Sequence, residues 1–235
     1  MKINMKAIKT ILAVCLLSLA TAASAQKTYV HITMTDGTKY ELASDKIQTM
    51  TMDTNDPNAT TGKASVTVEG AGITECGWVQ LWAGGPKFAT MNLGETTVTG
   101  NTKTYTWTES GSDTDAATVN WGSAWKVPTE TEMNELYKAA GGGGSNYISC
   151  TYTKYESTGV YGFLFKGTTE GYADNSLFLP AQVGDSYYGY AYYWSGTGAD
   201  GYGRYLDLFY NGGHWDSGWS TYTASGNYLV RPVLK

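Results

Sequence analysis

The stretch from residue 187 to residue 222 limits the possible folds of this chain more than any other feature, because its aromatic residues are interleaved with glycines. Aromatic residues favour strands, whereas repeated glycines weaken helices and permit tight turns. The whole chain shares this bias, with 29 glycines and 19 tyrosines but only 16% charged residues. The pattern therefore predicts many turns and short strands packed through aromatic rings, rather than a helical bundle.

The first 25 residues have the organisation of a cleavable signal peptide. Three lysines precede an uncharged apolar run from Ile11 to Ala20, and Ala23-Ser24-Ala25 provides the small-x-small pattern for signal peptidase. The run is shorter than the roughly 20 apolar residues of a membrane-spanning helix, and Val14 before Cys15 is too bulky for lipoprotein processing. We therefore expect no transmembrane segment, cleavage before Gln26 and export to the periplasm, the cell surface or the medium.

Charge and cysteine content limit the partners and the chemistry of the exported chain. The full chain carries a formal net charge of −5, and signal-peptide removal takes away three lysines and no acidic residue. An acidic surface repels phosphate backbones, so we expect no nucleic-acid partner. Only Cys76 and Cys150 remain after processing; they form either a disulfide in an oxidising compartment or two separately buried thiols. His31 and His214 share no metal-ligand spacing with them, so neither a metal nor another cofactor is expected.

The chain divides into a small N-terminal part and a larger C-terminal part. Residues 26–52 alternate with period two around an Asp36-Gly37 turn, which predicts a small β-hairpin unit with a third strand from Ile47 to Met52. This unit is too small to bury a core alone, and it resembles a short N-terminal segment common on secreted proteins of gut Bacteroidetes. Residues 53–62 form a polar linker, and residues 63–235 form the main domain.

The clearest local element of the main domain is a helix that begins after Pro128. Thr129 and Glu132 have the spacing of a capping box, and Gly141 suits a left-handed C-cap. The positions between them predict one apolar face, which consists of Met133, Leu136, Tyr137 and Ala140. The later apolar stretches are short and typical of strands; they span residues 160–166, 176–180, 205–210 and 228–234.

Four motifs, in this order along the chain, resemble one known family. They are Asp115–Thr129 (DAATVNWGSAWKVPT), Ser176–Ala181 (SLFLPA), Tyr192–Ser195 (YYWS) and Val230–Leu234 (VRPVL), with Phe88–Gly94 (FATMNLG) matching the opening segment. Together they resemble the Fibrobacter succinogenes major paralogous domain and its Bacteroidetes relatives over residues 78–235. The resemblance implies an α+β, C-type-lectin-like fold with short twisted antiparallel sheets, one or two helices and long loops.

The resemblance also implies where a ligand binds. In retroelement-diversified variable proteins of this fold, the binding face lies between a Trp-Ser motif and a closing Arg-Pro-Val strand. The corresponding interval here is rich in aromatic and charged residues, and we expect its glycine-rich segment, residues 211–218, to form a turn. The expected ligand-binding residues are Asp200, Tyr202, Arg204, Tyr205, Asp207, Tyr210, His214, Trp215, Asp216, Trp219 and Tyr222.

Some residues of this region are expected to be structural. In the closing segment, alternation places Arg231 inward, where it needs a carboxylate or carbonyl partner. The expected core residues of the same region are Trp194, Leu206, Leu208 and Phe209. Buried phenols and indoles each need a hydrogen-bond partner, so a core does not readily accommodate every ring of this short stretch. The other interpretation is that the tyrosines only cover a loop-rich core.

Two departures from related proteins limit the function. Calcium-dependent lectins carry Glu-Pro-Asn or Gln-Pro-Asp with Trp-Asn-Asp, and none of these motifs occurs here. Formylglycine-generating enzymes need a late pair of metal-binding cysteines, and no cysteine follows Cys150. We expect a non-enzymatic module that binds a glycan or a protein at the cell exterior. The alternative is a structural or adhesive component of the cell envelope with no small ligand. The least favoured hypothesis is an enzyme of the formylglycine-generating kind.

Overall fold

The computed structural model describes two N-terminal strands, Tyr29–Thr33 and Lys39–Ala43, and residues 59–235 except for the side chain of Trp215. The predicted signal peptide, the cleavage site before Gln26 and the third N-terminal strand lie outside the described residues. The chain separates into two compact units, Met1–Asp56 and Pro57–Lys235.

The N-terminal unit contains an antiparallel strand pair. Strand β1 is Tyr29–Thr33 and strand β2 is Lys39–Ala43. Tyr29 lies opposite Ala43 and Thr33 lies opposite Lys39, so the predicted pairing of these two segments is confirmed. The predicted turn residues between them lie outside the described part of the chain.

The described part of the larger unit contains three antiparallel sheets and two short helices, which is an α+β arrangement. The five-stranded sheet has the order β3 (Thr61–Ser65), β4 (Glu75–Gln80), β5 (Lys87–Ala89), β14 (Val233–Leu234) and β6 (Trp125–Lys126). The three-stranded sheet consists of β7 (Ile148–Lys154), β8 (Tyr161–Gly167) and β9 (Ser176–Pro180). The four-stranded sheet consists of β10 (Val183–Gly184), β11 (Tyr188–Ala199), β12 (Tyr202–Asn211) and β13 (His214–Thr223). Strand β3 begins inside the interval that was expected to be linker.

The two helices are α1 (Ala116–Trp121) and α2 (Glu130–Ala139). The predicted capping box of α2 is confirmed: the Glu132 N–H donates to the Thr129 hydroxyl, and the Thr129 N–H donates to the Glu132 carboxylate. Gly141 has a positive φ of 125°, and the Gly142 N–H donates to the carbonyl of Tyr137, as in a Schellman C-cap. Within the described residues, neither helix has the length and apolarity that crossing a membrane requires.

Helix α1 begins at a buried carboxylate. Asp115 is fully buried and accepts hydrogen bonds from the backbone N–H groups of Ala117 and Thr118 at the start of the helix. It also accepts from the N–H groups of Gly111 and Val127, so one side chain joins a loop, a helix and the residue after β6. These hydrogen bonds explain why the motif begins with an acid. The two alanines that follow Asp115 are both buried.

The closing segment has the predicted buried arginine but not the predicted continuous strand. Arg231 is fully buried and donates to the carbonyls of Ala89 at 3.1 Å and Phe178 at 2.9 Å. Only Val233–Leu234 forms a regular strand, and residues 229–233 are buried without alternation. The reason is that Val233–Leu234 lies between β5 and β6 in the five-stranded sheet, while Leu229 and Val230 are buried in the two hydrophobic clusters of the larger unit.

Two hydrophobic clusters fill the larger unit. In the first, Leu206 and Leu208 of β12 pack with Met133 and Leu136 of α2 and with residues of β8. The second surrounds the buried indoles of Trp121, Trp125 and Trp194. The four-stranded sheet therefore packs the face that carries Leu206 and Leu208 against the first cluster, and Trp194 on its other face belongs to the second cluster.

Cys76 and Cys150 are free thiols in this structure, in agreement with the alternative of two separate thiols. Cys76 belongs to the cluster around the tryptophans, whereas Cys150 packs against the other cluster. Burial raises the pKa of both thiols. Raised pKa values leave little thiolate at neutral pH, and thiolate is the reactive form.

Candidate functional site

Strand alternation divides the predicted ligand-binding residues between the two faces of the four-stranded sheet. Residues directly opposite each other on antiparallel strands present their side chains on the same face. Leu206 lies opposite both Tyr193 and Trp219, and these three residues therefore belong to the inner, core-facing side. Asp207 lies opposite Tyr192 and Gly218, so the intervening positions form the outer side.

Three of the predicted ligand-binding residues lie on the inner side of the four-stranded sheet, so they do not share a surface with the residues of its outer side. Trp219 has its ring centroid 6.1 Å from that of Tyr137 on α2. Tyr210 stacks on Tyr152 at 4.4 Å. The Arg204 guanidinium lies 3.0 Å from the carboxylate of Glu130 at the start of α2. These three side chains join the sheet to the helix and to the three-stranded sheet.

The glycine-rich segment at residues 211–218 is a strand after a two-residue turn, not the longer turn expected. Gly212 and Gly213 have φ values of 55° and 95°, and Asn211 pairs with His214 across them. Two successive positive φ values match the twist of a hairpin, so the strands continue directly on each side. Trp215 thus lies within β13 opposite Tyr210; its side chain is outside the described part of the structure.

A second tight hairpin accounts for Asp200. Asp200 and Gly201 have φ values of 53° and 80° and connect β11 to β12. Aspartate tolerates this left-handed conformation better than most residues. Tyr202 follows at the first position of β12 and is exposed, as is His214 at the other end of the sheet. These predicted residues lie at the ends of the sheet rather than at its centre.

The outer side of the sheet carries a set of tyrosines that we call the tyrosine face. It consists of Tyr188, Tyr190, Tyr192, Tyr205, Phe209 and Tyr222 on strands β11 to β13, together with Tyr228 from the segment after β13. Tyr222 is 50% exposed and Tyr188 is 37% exposed, while the others are half-buried. Tyr205 and Tyr222 belong to the set expected from the sequence.

The rings of the tyrosine face form a continuous series of contacts. Successive ring centroids lie between 4.6 and 6.0 Å apart in the order Tyr188, Tyr190, Tyr192, Tyr205, Tyr228 and Tyr222. All five of these pairs are tilted or edge-to-face, and such pairs stabilise each other beyond the area that they bury. The buried indole of Trp194 packs under this series, 4.6 Å from the ring of Tyr228. The face is therefore held in place before any ligand arrives.

Two carboxylates lie beside the rings. Asp207 is half-buried at the centre of the face, and Asp216 is exposed on β13 opposite Phe209. Burial raises the pKa of the Asp207 carboxyl, and the negative charge of Asp216 raises it further. Among the described residues, none donates a hydrogen bond to the Asp207 carboxylate, and the strand positions on this face carry no lysine or arginine.

The phenols of Tyr192 and Tyr228 are neutral at physiological pH. Burial raises the pKa of Tyr228 to about 12, with the neighbouring hydroxyl of Tyr205 as a further cause. Burial and the Asp207 charge raise the pKa of Tyr192. Neutral phenols both donate and accept hydrogen bonds. The face therefore combines rings, hydroxyls and carboxylates, and within the described residues no three metal-ligating side chains come together.

The residues of the tyrosine face that were not among the expected ligand-binding residues are Tyr188, Tyr190, Tyr192, Phe209 and Tyr228. Alternation of tyrosines at positions 188, 190 and 192 was the available signal, because residues two apart lie on one face of a strand. Phe209 was expected in the core. It instead follows Leu208 on the opposite side of β12, where it packs against Tyr188 at 5.4 Å.

A scan of protein-family models finds no match to this chain, and comparisons with curated proteins and with solved structures find none either.

Proposed function

We propose that this protein is an exported, non-enzymatic binding module that holds a neutral polysaccharide along its tyrosine face. The observation that carries the proposal is the continuous series of ring contacts from Tyr188 to Tyr222, which runs beside two carboxylates that have no cationic neighbour on the face. Sugar rings have apolar faces that stack on aromatic rings and hydroxyl edges that bond to polar groups. Tyrosine offers both kinds of contact with few rotatable bonds.

Charge supports a neutral rather than an anionic ligand. Asp207 and Asp216 give this face a negative charge, and the whole chain has a formal charge of −5. A uronate, sulfate or phosphate group would meet like charge here, which costs binding free energy. The same argument disfavours nucleic acid, whose binding depends on lysine and arginine.

The assignment of fold family and of location belongs to the same proposal. The four ordered motifs support a C-type-lectin-like domain, and short antiparallel sheets with two helices agree with that architecture at the level of fold class. The lysines, apolar run and Ala23-Ser24-Ala25 motif support export. Mass spectrometry of the processed protein should give a chain that begins at Gln26; a mass that retains Met1, or a lipid on Cys15, would contradict export by this route.

Affinity electrophoresis of the full chain tests the function. The gels contain a neutral polymer, such as galactomannan, hydroxyethyl cellulose or dextran, or the anionic polymer polygalacturonate. We expect retardation by at least one neutral polymer and none by polygalacturonate. Tyr190→Ala should reduce the retardation, because it interrupts the series of rings. Tyr147→Ala is the matched control, since Tyr147 is an exposed tyrosine before β7 and outside the tyrosine face.

A second candidate function is that of a structural or adhesive component of the cell envelope. The observation that favours it is the separate N-terminal unit, because its described strand pair is too small to bury a core by itself. Such a unit would gain a core by assembly with another protein. If the full chain is retarded by no polysaccharide but binds purified cell envelopes, and if deletion of residues 26–56 removes that binding, this second function replaces the first.

A further inference from the structure

Gly218 is a glycine that the fold does not require. Each other described glycine has either a positive φ or a described atom within 3.0 Å of the place where a Cβ would lie. At Gly218 the φ is ordinary, and no atom of the described residues comes within 4 Å of that place. A side chain would therefore fit at this position without strain and without a collision.

Glycine at this position has a cost. In the interior of a strand it weakens the element, because it adds conformational entropy to the unfolded chain and packs no side chain. Gly218 lies in the middle of β13, which runs from His214 to Thr223. Where neither the backbone nor a neighbour explains such a glycine, the close approach of a ligand is a physical reason for it.

The open space at Gly218 faces the central carboxylate of the tyrosine face. Gly218 lies opposite Asp207 on β12, and Asp207 lies opposite Tyr192 on β11, so these three residues form one row across the sheet. On the same side of the sheet, the next row towards the Gly212–Gly213 turn contains Phe209 and Asp216. The next row in the other direction contains Tyr205 and Ser220. We call this space the notch: it lies on the outer side of the edge strand β13, next to the positions of Tyr205, Asp207 and Phe209 on β12.

We propose that this notch is the specificity-determining subsite of the tyrosine face, where Asp207 accepts hydroxyl groups from one unit of a neutral polysaccharide that occupies the space over Gly218. The inference rests on the proposed function and assigns the contact that selects the ligand. A carboxylate is an acceptor without donors, and the hydroxyl groups of a neutral sugar supply the donors that the protein itself does not supply to Asp207. A hydrogen bond to a charged group is stronger than one between neutral groups.

The identity of residue 218 then determines whether the sugar can approach. A valine there would fill the notch with a branched side chain that suits a strand. It leaves every ring of the tyrosine face in place, so it tests the notch separately from the rings. Thr221→Leu is the matched control, because Thr221 is an exposed residue of the same strand that lies opposite Arg204, on the other side of the sheet.

The experiment measures the affinity of the full chain for the neutral polymer that retards it, by isothermal titration and by affinity electrophoresis. We expect Gly218→Val to lose about tenfold or more in affinity while its melting temperature is equal to or above that of wild type. Asp207→Asn should lose a similar factor, since an amide is a weaker acceptor than a carboxylate. Thr221→Leu should bind like wild type.

The outcomes separate this inference from the proposed function. If wild type binds no polysaccharide, both fail. If wild type binds and Tyr190→Ala weakens binding, but Gly218→Val binds like wild type, the tyrosine face stands and the notch is wrong. If partly deacetylated chitin binds more tightly than every neutral polymer and Asp207→Asn removes that preference, the notch takes an ammonium group and the assignment to hydroxyl groups is overturned.

Discussion

Both carboxylate oxygens of Asp115 accept a hydrogen bond from the backbone N–H of Val127, at 3.1 and 3.0 Å. Val127 follows β6, and Asp115 precedes α1, so this contact closes the loop that contains the helix. The residues involved belong to the longest motif of the chain. The motif is thus explained by a contact that maintains the fold rather than by ligand binding.

Replacement of Asp115 should destabilise the protein strongly. Asp115→Ala removes the acceptor of four buried or partly buried N–H groups, and each unpaired buried donor costs about 1–3 kcal/mol. We expect the free energy of unfolding to fall by about 3 kcal/mol or more, measured by urea unfolding followed through tryptophan fluorescence. Asp113→Ala, at an exposed acid of the same loop, is the control and should be nearly neutral. Equal stability of the two variants would contradict this role of Asp115.

Arg231→Ala should also lower the free energy of unfolding, by about 3 kcal/mol or more, because two buried carbonyls lose their donor and a cavity remains. Burial lowers the pKa of Arg231, since its charge has no carboxylate partner among the described residues. Thermal unfolding measures the effect, with Lys166→Ala at an exposed position of β8 as the control. An unchanged melting curve together with lost polysaccharide binding would assign Arg231 to the ligand instead.

Trp219→Ala and Tyr190→Ala should separate stability from binding. Trp219 is partly buried on the inner side, where it packs against Tyr137 and the first hydrophobic cluster, and loss of such a large ring costs up to about 3 kcal/mol. We expect Trp219→Ala to unfold at a clearly lower urea concentration while its folded form keeps its affinity for the neutral polymer. Tyr190→Ala should lose affinity for the neutral polymer, and its loss of stability should be smaller than that of Trp219→Ala. If Trp219→Ala instead loses affinity with unchanged stability, the inner and outer assignments of β13 are wrong.

The charge of Asp207 should make the stability depend on pH. Its pKa is raised in the folded protein, so the folded state binds this proton more tightly than the unfolded state does. The contribution of Asp207 to the free energy of unfolding is fully present below the ordinary carboxyl pKa of about 4. It is lost as the pH rises through the raised pKa of Asp207 in the folded protein. Asp216 on β13 and the phenol of Tyr192 on β11 are the titratable groups that face it.

Asp207→Asn is uncharged throughout this range and should therefore gain stability relative to wild type as the pH rises from about 4 to about 7. Urea unfolding at several pH values measures the difference. Asp216→Asn, which removes the neighbouring charge, should reduce the same pH dependence without abolishing it. A difference between Asp207→Asn and wild type that stays constant with pH would contradict the raised pKa.

Patterns that depend on neighbouring residues could be predicted from the sequence alone. The capping box of Thr129 and Glu132 and the strand at Ser176–Pro180 are confirmed at the predicted places. An inward Arg231 with a carboxylate or carbonyl partner was also expected, and the structure provides the carbonyls of Ala89 and Phe178. These features follow from periodicity, turn chemistry and polar satisfaction, which act over a few residues.

The tertiary structure alone decided which rings share a surface. Each residue of β11 to β13 belongs to one of two sides, and a shift of one residue exchanges the sides for a whole strand. The two-residue turn at Gly212–Gly213 sets that register, and it places Asp216 and Gly218 outward but Trp219 inward. The packing of α2 and the three-stranded sheet then buries one side, and the other side becomes the tyrosine face. Composition indicated that this interval is rich in rings, but only the long-range pairing of strands determined which of those rings lie together on the outer face.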